Sequence, residues 1–404
     1  VVEANVVDGL TTGTITGSIA STEDTADLVN LTGSNNYTYV LPGGSPVTIA
    51  ELNAISDSIS IAVDASSVTS LAGAYDDVIS LFNSTTITGI SDRDITVNDF
   101  LTVIQANTID ALTTGTVTAS ITTTETVDSL KTLTGSNAYA IVIAAADATG
   151  STAAELNAIN DATTVAVNLT NVTALAASSL SDLGTLGTAI VNSEFSNTTG
   201  LTTIAVSDTT IDATVLDLTI DSVDTINGSS TTNMTLASGA TINVDADEVA
   251  AMLADETAGR LTITDQKITV TNPITVDNAN LLTSTTTGTV TATIVGTESI
   301  TELATLNTDF LATNNLTITI PSGSATALEL IAIRAATTSL LDASALTSIS
   351  GSASDIQSAY GLEGFDGFGA QDFTVSGQTS VTQANVLDAL TTGTVTASIT
   401  TTET

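Results

Sequence analysis

Four stretches of this chain repeat one another in phase. The words ANVVDGLTTGT, ANTIDALTTGT, ANLLTSTTTGT and ANVLDALTTGT begin at Ala4, Ala106, Ala279 and Ala384. Each reaches its glycine nine residues later, at Gly13, Gly115, Gly288 and Gly393. Fifteen residues after the first three glycines stands a leucine, Leu28, Leu130 or Leu303. Further on, TIAELNAI, TAAELNAI and TALELIAI place Glu51, Glu155 and Glu329 at matching positions. A fixed phase over long distances is the mark of repeated structural units that bury their faces against neighbours. The copies divide the chain into 1–105, 106–200, 279–383 and the opening of a fourth at 384–404. Residues 201–278 are extra material of the same composition.

Each copy subdivides. In the second, Val117, Ala119 and Ile121 alternate with Thr118, Ser120 and Thr122, the period of a half-buried strand. Val127, Leu130 and Leu133 follow at helical spacing. YAIVIAA reads as a strand and TAAELNAI as a helix, and TTVAVNLT as a third strand. VTALAASSLSDL has the spacing of a further helix. Thr48 with Glu51, Thr152 with Glu155 and Thr326 with Glu329 have capping-box spacing, which sets three helix starts. The elementary unit is therefore a strand and a short helix in roughly 25 residues. Parallel strands joined by helices need right-handed crossovers. The expected fold is an α/β solenoid of about 16 such coils, roughly 75–80 Å long at ~4.8 Å per coil. Tandem immunoglobulin-like sandwiches of about 100 residues are the competing architecture; the capped helices and the scarcity of turn prolines count against them. The segment GLEGFDGFGAQDF, 361–373, reads as the one interruption, a loop leaving the rod or a plug over the core.

Composition narrows function. Forty-four acidic residues face five basic ones, Arg93, Lys131, Arg260, Lys267 and Arg334, a formal charge of -39. Such a surface repels phosphate backbones and anionic membranes, which argues against nucleic-acid partners. No run is long and apolar enough to insert in a membrane. The absence of Cys and His removes thiolates, imidazole bases and the usual zinc ligands. A serine nucleophile has no imidazole partner, platforms for stacking sugars are scarce, and no glycine-rich phosphate loop follows a strand, so no enzyme is expected.

Three residue sets invite a binding role. The carboxylates Asp245, Asp247 and Glu248, and Asp92 and Asp94 with Asp99, leave room for weak Ca²⁺ binding, although no EF-hand or glycine-rich nonapeptide loop contains them. The outward Thr118, Ser120 and Thr122 recur as Thr291 and Thr293 and as Thr396 and Ser398, and such arrays resemble an ice-binding face; strand propensity and solvation of an exposed face explain them more simply, since the copies lie about four coils apart. The phased Asn5, Asn107, Asn280 and Asn385 are expected to satisfy backbone groups at turns or helix caps.

The words ANVLDALTTGTVTASI and TAAELNAIND resemble the Thr/Ala/Asp-rich repeats of giant cell-surface proteins of marine cyanobacteria, including one associated with non-flagellar swimming. The resemblance runs along almost the whole chain, apart from 361–373. It implies export, great length and a mechanical or adhesive role, and it supplies no catalytic residue. The expectation is a structural segment of an extracellular fibre or coat that self-associates or stacks on neighbouring repeats, and a window of a longer chain. A calcium-stabilised adhesin and an ice-binding array are the alternatives.

Overall fold

The computed structural model describes residues 1–23, 25–41, 47–58, 63–227, 232–308 and 314–400. It is an α/β structure of parallel sheets and short helices, and none of the sheets among the described residues closes into a barrel. Two compact units emerge. One comprises Val1–Ile204 with Ser222–Ser230, the other Ala205–Asp221 with Thr231–Thr404.

In the first unit, strands Val47–Thr48, Ser70–Gly73, Asp94–Leu101, Val117–Ile121 and Ala138–Ala140 lie side by side in sequence order. Helices Ile49–Ser58, Tyr75–Asn83, Val103–Asp110 and Val127–Leu130 connect each strand to the next. Strand plus helix is thus the recurring module. In the second unit the same succession builds a sheet from Thr210–Asp212, Thr241–Val244, Lys267–Val270, Val290–Thr293 and Asn315–Thr317. A further sheet there joins Gly323–Thr326, Leu346–Gly351, Asp372–Thr379 and Val395–Ile399. The registered pairs run parallel from Thr16↔Asn36 to Thr374↔Thr396, a pattern that antiparallel sandwiches do not provide. The sequence repeats do not break the sheets. Ile95 pairs with Val117 across residue 105, and Phe373 with Val395 across residue 383.

Register explains the alternation. Leu71, Ile95 and Val117 are partners in one row, and Ile242, Ile268 and Val290 in another, all six fully buried. Each such side chain contributes about 1.5–3 kcal/mol by leaving water. The helices close the other wall with Leu52 and Ile55, Leu156 and Ile159, and Leu330 and Ile333, all buried. β-branched and leucine side chains at one height in successive modules make flat layers, and Tyr139 and Phe373, both fully buried, take places in the same rows.

Two expectations change. The stretch read as a helix over VTALAASSLSDL holds a strand, Ala174–Ser178, and only then a helix, Leu180–Val191. Ser179 ends the strand by accepting the Asp182 amide as N-cap. The spacing of Val172 and Leu175 had imitated a helical face.

The segment 361–373 neither leaves the structure nor plugs it. Phe365–Asp366 pairs with Leu341–Asp342 as Ile87–Thr88 pairs with Val63–Asp64. Gly367 (φ 81°) packs over Ser344 as Gly89 (φ 75°) packs over Ser66. It is an ordinary module in which rings replace aliphatic chains. Tyr360 stacks on Phe368 at 4.5 Å, Phe368 on Phe365 at 4.7 Å, and Phe373 meets Tyr360 edge-on at 5.0 Å.

The phased glycines are not left-handed turns. A Cβ at Gly115 or Gly288 would collide with the carbonyl of Arg93 or Gln266 in the preceding module, and at Gly393 it would lie 2.6 Å from that of Gln371. At these three positions the residue is glycine because two backbones touch, whereas at Gly13 such a Cβ would meet only Thr11 Oγ1, at 3.5 Å. Gly184, inside a helix, has nothing within 4 Å of such a Cβ. Gly115→Ala is expected to lower the stability of its unit by about 1–3 kcal/mol, whereas Gly184→Ala raises it by about 0.5–1 kcal/mol. Urea unfolding of both variants checks this, and equal effects would contradict the close-approach explanation.

Candidate functional site, the joint between modules

The repeated phrase is a set of clamps between neighbouring modules. The first threonine of the Thr-Thr-Gly triplet works in both directions in three of the four copies, whereas Thr11 only accepts the Gly13 amide at 3.0 Å. Thr113 Oγ1 donates to Arg93 O at 2.6 Å and accepts the Gly115 amide at 2.9 Å. Thr286 bridges Gln266 O and the Gly288 amide, and Thr391 bridges Gln371 O and the Gly393 amide, in the same way. The next residue, Thr114, Thr287 or Thr392, donates its amide to Ser91, Thr264 or Gly369 of the preceding module. Thr163 and Thr337 make the same kind of bridge, to Tyr139 O and Leu316 O, outside the phrase.

The phased asparagines reach the other way. They lie within or beside helices but do not cap them. Asn107 donates to Thr132 O at 2.8 Å and accepts the Thr134 amide at 2.9 Å, 25 and 27 residues ahead. Asn5 does so with Asn30 O and the Thr32 amide, and Asn280 with Thr305 O and the Asn307 amide. One planar amide therefore satisfies the loose end of the next module's helix. The expectation of a local cap was wrong in its partner, because the unsatisfied groups nearest the side chain belong to the neighbouring module.

Residues without a phased motif in the phrase complete the joint. Asn137 is 3% exposed; its amide nitrogen donates to Asp110 Oδ1 at 2.7 Å, and its oxygen accepts the Val117 amide at 2.8 Å. Asn35 repeats this with Asp8 and Ile15, and Asn314 accepts from Val290. The hydrogen bonds from Asn35 and Thr32 hold the Asp8 carboxyl below its ordinary range. The identical words LTGSN at 31–35 and 133–137 could have revealed Asn35 and Asn137. Gln266 and Gln371, each 1% exposed, close the turn before their strands. Gln371 donates to Gly367 O at 3.0 Å, a task that Arg93 Nε performs on Gly89 O at 3.2 Å.

The three capping boxes form. Thr48 with Glu51, Thr152 with Glu155 and Thr326 with Glu329 exchange side-chain and backbone hydrogen bonds of 2.7–3.3 Å. Lys131 links two modules by donating to Asp128 at 2.5 Å and Glu155 at 3.0 Å. The Thr152 amide, above all, pulls the Glu155 carboxyl below its ordinary range, and the Lys131 ammonium adds to this. At Glu329 burial pushes upward, but the Thr326 amide and hydroxyl and the Thr301 hydroxyl together outweigh it. The opposite case is Asp255, 1% exposed, whose carboxyl burial drives upward although it is ion-paired with Arg260.

The carboxylates proposed for calcium are engaged with protein groups. Asp245 accepts from Asn272 at 2.7 Å and Thr271 at 3.3 Å, and the Asp247 amide turns back on it at 3.4 Å. Glu248 accepts the Asp245 amide at 3.1 Å and the Thr214 hydroxyl. Asp94 accepts the Thr116 amide at 2.8 Å, and Asp92 pairs with Arg93 at 3.2 Å. Among the described residues no group of three or more acidic side chains is arranged to hold a metal ion. The outward threonines align with neighbours, Thr96 with Thr118, Thr269 with Thr291 and Thr374 with Thr396. Asp212 and Asn243 continue the row of Thr269, and Lys267 lies beside Thr241, so the face is chemically mixed.

Asn137→Ala would strand the Val117 amide and one acceptor in a buried joint, a loss of about 2–3 kcal/mol, against roughly 1 kcal/mol for Asn107→Ala, whose side chain is only half-buried. Amide exchange at Val117 is expected to accelerate in the first variant and stay unchanged in the second. For Glu155, the folded pKa is depressed, so its contribution is present above the unfolded value and fades as pH falls through the folded one. The stability difference between the natural chain and Glu155→Gln should therefore shrink between pH 7 and pH 3. A constant difference would refute the charge-assisted cap. No protein-family model matches this chain, and no curated protein matches it.

Proposed function

We propose that the chain is a load-bearing segment of an exported cell-surface or extracellular fibre, wound as a continuous right-handed α/β solenoid. The observation that carries the reading is the joint. Donor, acceptor and close-contact glycine recur at one phase, once in each long repeat, and in the second and third copies connect their module to the ones before and after it. Such a chain resists extension through many small, similar interfaces rather than one large core. Its acidic, hydroxyl-rich exterior suits an aqueous surface exposed to salt and opposes unwanted association. Neighbouring repeats of the same protein are its natural partners, because every module edge is built to receive another module. The chemistry is mechanical, and no residue is assigned to catalysis.

Stretching single molecules between their ends tests this. A solenoid unravels module by module, giving length increments near 25 residues, roughly 80–90 Å each at full extension. Asn137→Ala should lower the force of one early step without changing its length. One or two large rupture events, with no small increments, would sink the proposal and point to independently folded domains. Surface labelling of intact cells with an antibody against the chain tests export separately.

A further inference from the structure

One of the four phased glycines has no backbone to touch. An added Cβ at Gly115, Gly288 or Gly393 would strike a carbonyl of the preceding module, but at Gly13 it would have room, and no left-handed backbone calls for glycine there. The groups beside Gly13 are equally idle. Thr11 donates to no carbonyl, although Thr113, Thr286 and Thr391 all do. The Thr12 amide has no partner among the described residues. The inward row is open as well: Val7 is 47% exposed, whereas Ile109, Leu282 and Leu387 at the same phase are fully buried. A groove of about 280 Å³ runs past Val7, Ile15, Ile19 and Tyr37, and the Tyr37 hydroxyl is buried without a partner.

The last module shows the opposite half of the joint. Its words ALTTGTVTASIT, 389–400, are identical to 111–122. There Val117, Ala119 and Ile121 are buried under the next module, whereas Val395 and Ala397 are half-buried and Ile399 is 42% exposed. The side chains of Asn385 and Asp388 have no partner among the described residues. Their counterparts each hold a threonine of the following module. Asn5 accepts the Thr32 amide and Asp8 its hydroxyl; Asn107 accepts the Thr134 amide and Asp110 its hydroxyl. Both threonines stand four residues beyond the last helical residue, Leu28 or Leu130. Four residues beyond Asp8, where helix Val2–Asp8 ends, stands Thr12.

We infer that copies of this chain stack head to tail, the first module of one seated on the last module of another. The inference rests on the solenoid reading, since it makes the contact one more joint. Asn385 takes the Thr12 amide of the second copy, and Asp388 takes its hydroxyl. Arg93, which accepts from Thr113, stands two residues before Ile95, and Gly393 stands two before Val395. The Thr11 hydroxyl of the second copy therefore meets the Gly393 carbonyl, and Gly13 lies flat against that backbone. Ile15 continues the row of Phe373 and Val395. A second copy is the occupant because one chain carries both unmade halves and, at Asn107 and Thr113, the finished joint. The contact joins two different faces, so every added copy leaves one of each open and growth does not close. Glu3 and Glu23 flank one face and Asp388 lies on the other, so salt favours the contact by screening them.

Sedimentation of the 404-residue chain over a range of concentrations, at about 20 and about 500 mM NaCl, tests this. An open series of dimers, trimers and longer species is expected, growing with concentration and with salt. Gly13→Val has room in the isolated chain, and Asn385→Ala removes no bond from it. Both should keep the urea midpoint of the monomer and weaken association at least ~10-fold. An equimolar mixture of the two should pair as tightly as the natural chain and stop at dimers, because one variant keeps its Asn385 face and the other its Gly13 face. A chain that stays monomeric in both salts, association of equal strength in all variants, or a mixture that gains nothing would overturn the inference. If such a monomer still unravels in steps of about 25 residues under force, the fibre reading stands and the head-to-tail contact alone falls.

Discussion

The structure depends on satisfying backbone groups at the edges of its modules. A parallel strand with a short helix leaves amides and carbonyls open on both sides, and burial without partners would cost about 1–3 kcal/mol for each. The buried Asn137 amide answers this most economically: it joins the Val117 amide of one module to the Asp110 carboxylate beside it. Thr113 does the same for the turn at Gly115, and Asn107 for the helix end at Thr132. With the edges closed in this way, a core made mostly of small aliphatic layers suffices. The helix Val127–Leu130 persists at four residues because Thr126 caps its start and Asn107 holds its end.

The charge distribution serves the same joints. Most of the rare cations bind where modules meet: Lys131 between Asp128 and Glu155, Arg93 on the turn at Gly89, Arg334 on the turn at Glu363. Arg260 accompanies the one fully buried carboxylate among the described residues, Asp255. Breaking that pair would leave a desolvated charge, which costs far more than a surface ion pair returns. The many other acids can stay in solvent, where salt screens their repulsion.

The sequence disclosed what local spacing determines. The three capping boxes, the alternation of Val117, Ala119 and Ile121, and the helical spacing of Leu156 and Ile159 all depend on neighbours within a turn or two. What it concealed lies one module away. Asn107 looked like a local cap because its partners at Thr132 and Thr134 are 25 and 27 residues ahead. The need for glycine at Gly115 has no local sign, because the Arg93 carbonyl that excludes a side chain is 22 residues behind. The segment 361–373 looked foreign because composition changed while register did not. The stretch at 172–183 was misread because pairing across modules, absent from any local pattern, decided between strand and helix.

Internal copies separate what the fold requires from what it permits. Positions that keep their chemistry from copy to copy are the joint residues: threonine before the close-contact glycine, asparagine facing the next helix end, glutamate at the cap. Positions that change chemistry on an unchanged backbone are elsewhere. Ile87 and Ile90 become Phe365 and Phe368, and the two isoleucines are 5% and 7% exposed whereas both rings are half-buried. Ser56 becomes Arg334 at the corner, and Arg93 becomes Gln371 while still closing the same turn. Exchange of arginine for glutamine with the hydrogen bond retained is tolerance, because a single N–H is all the turn needs. Exchange of arginine for serine is a larger change, because Ser56 bonds the hydroxyls of Ser84 and Thr86 where Arg334 holds the carbonyl of Glu363. A repeat that must stack at every edge has only such corners and outer faces on which to vary, and there differences between copies carry chemical meaning.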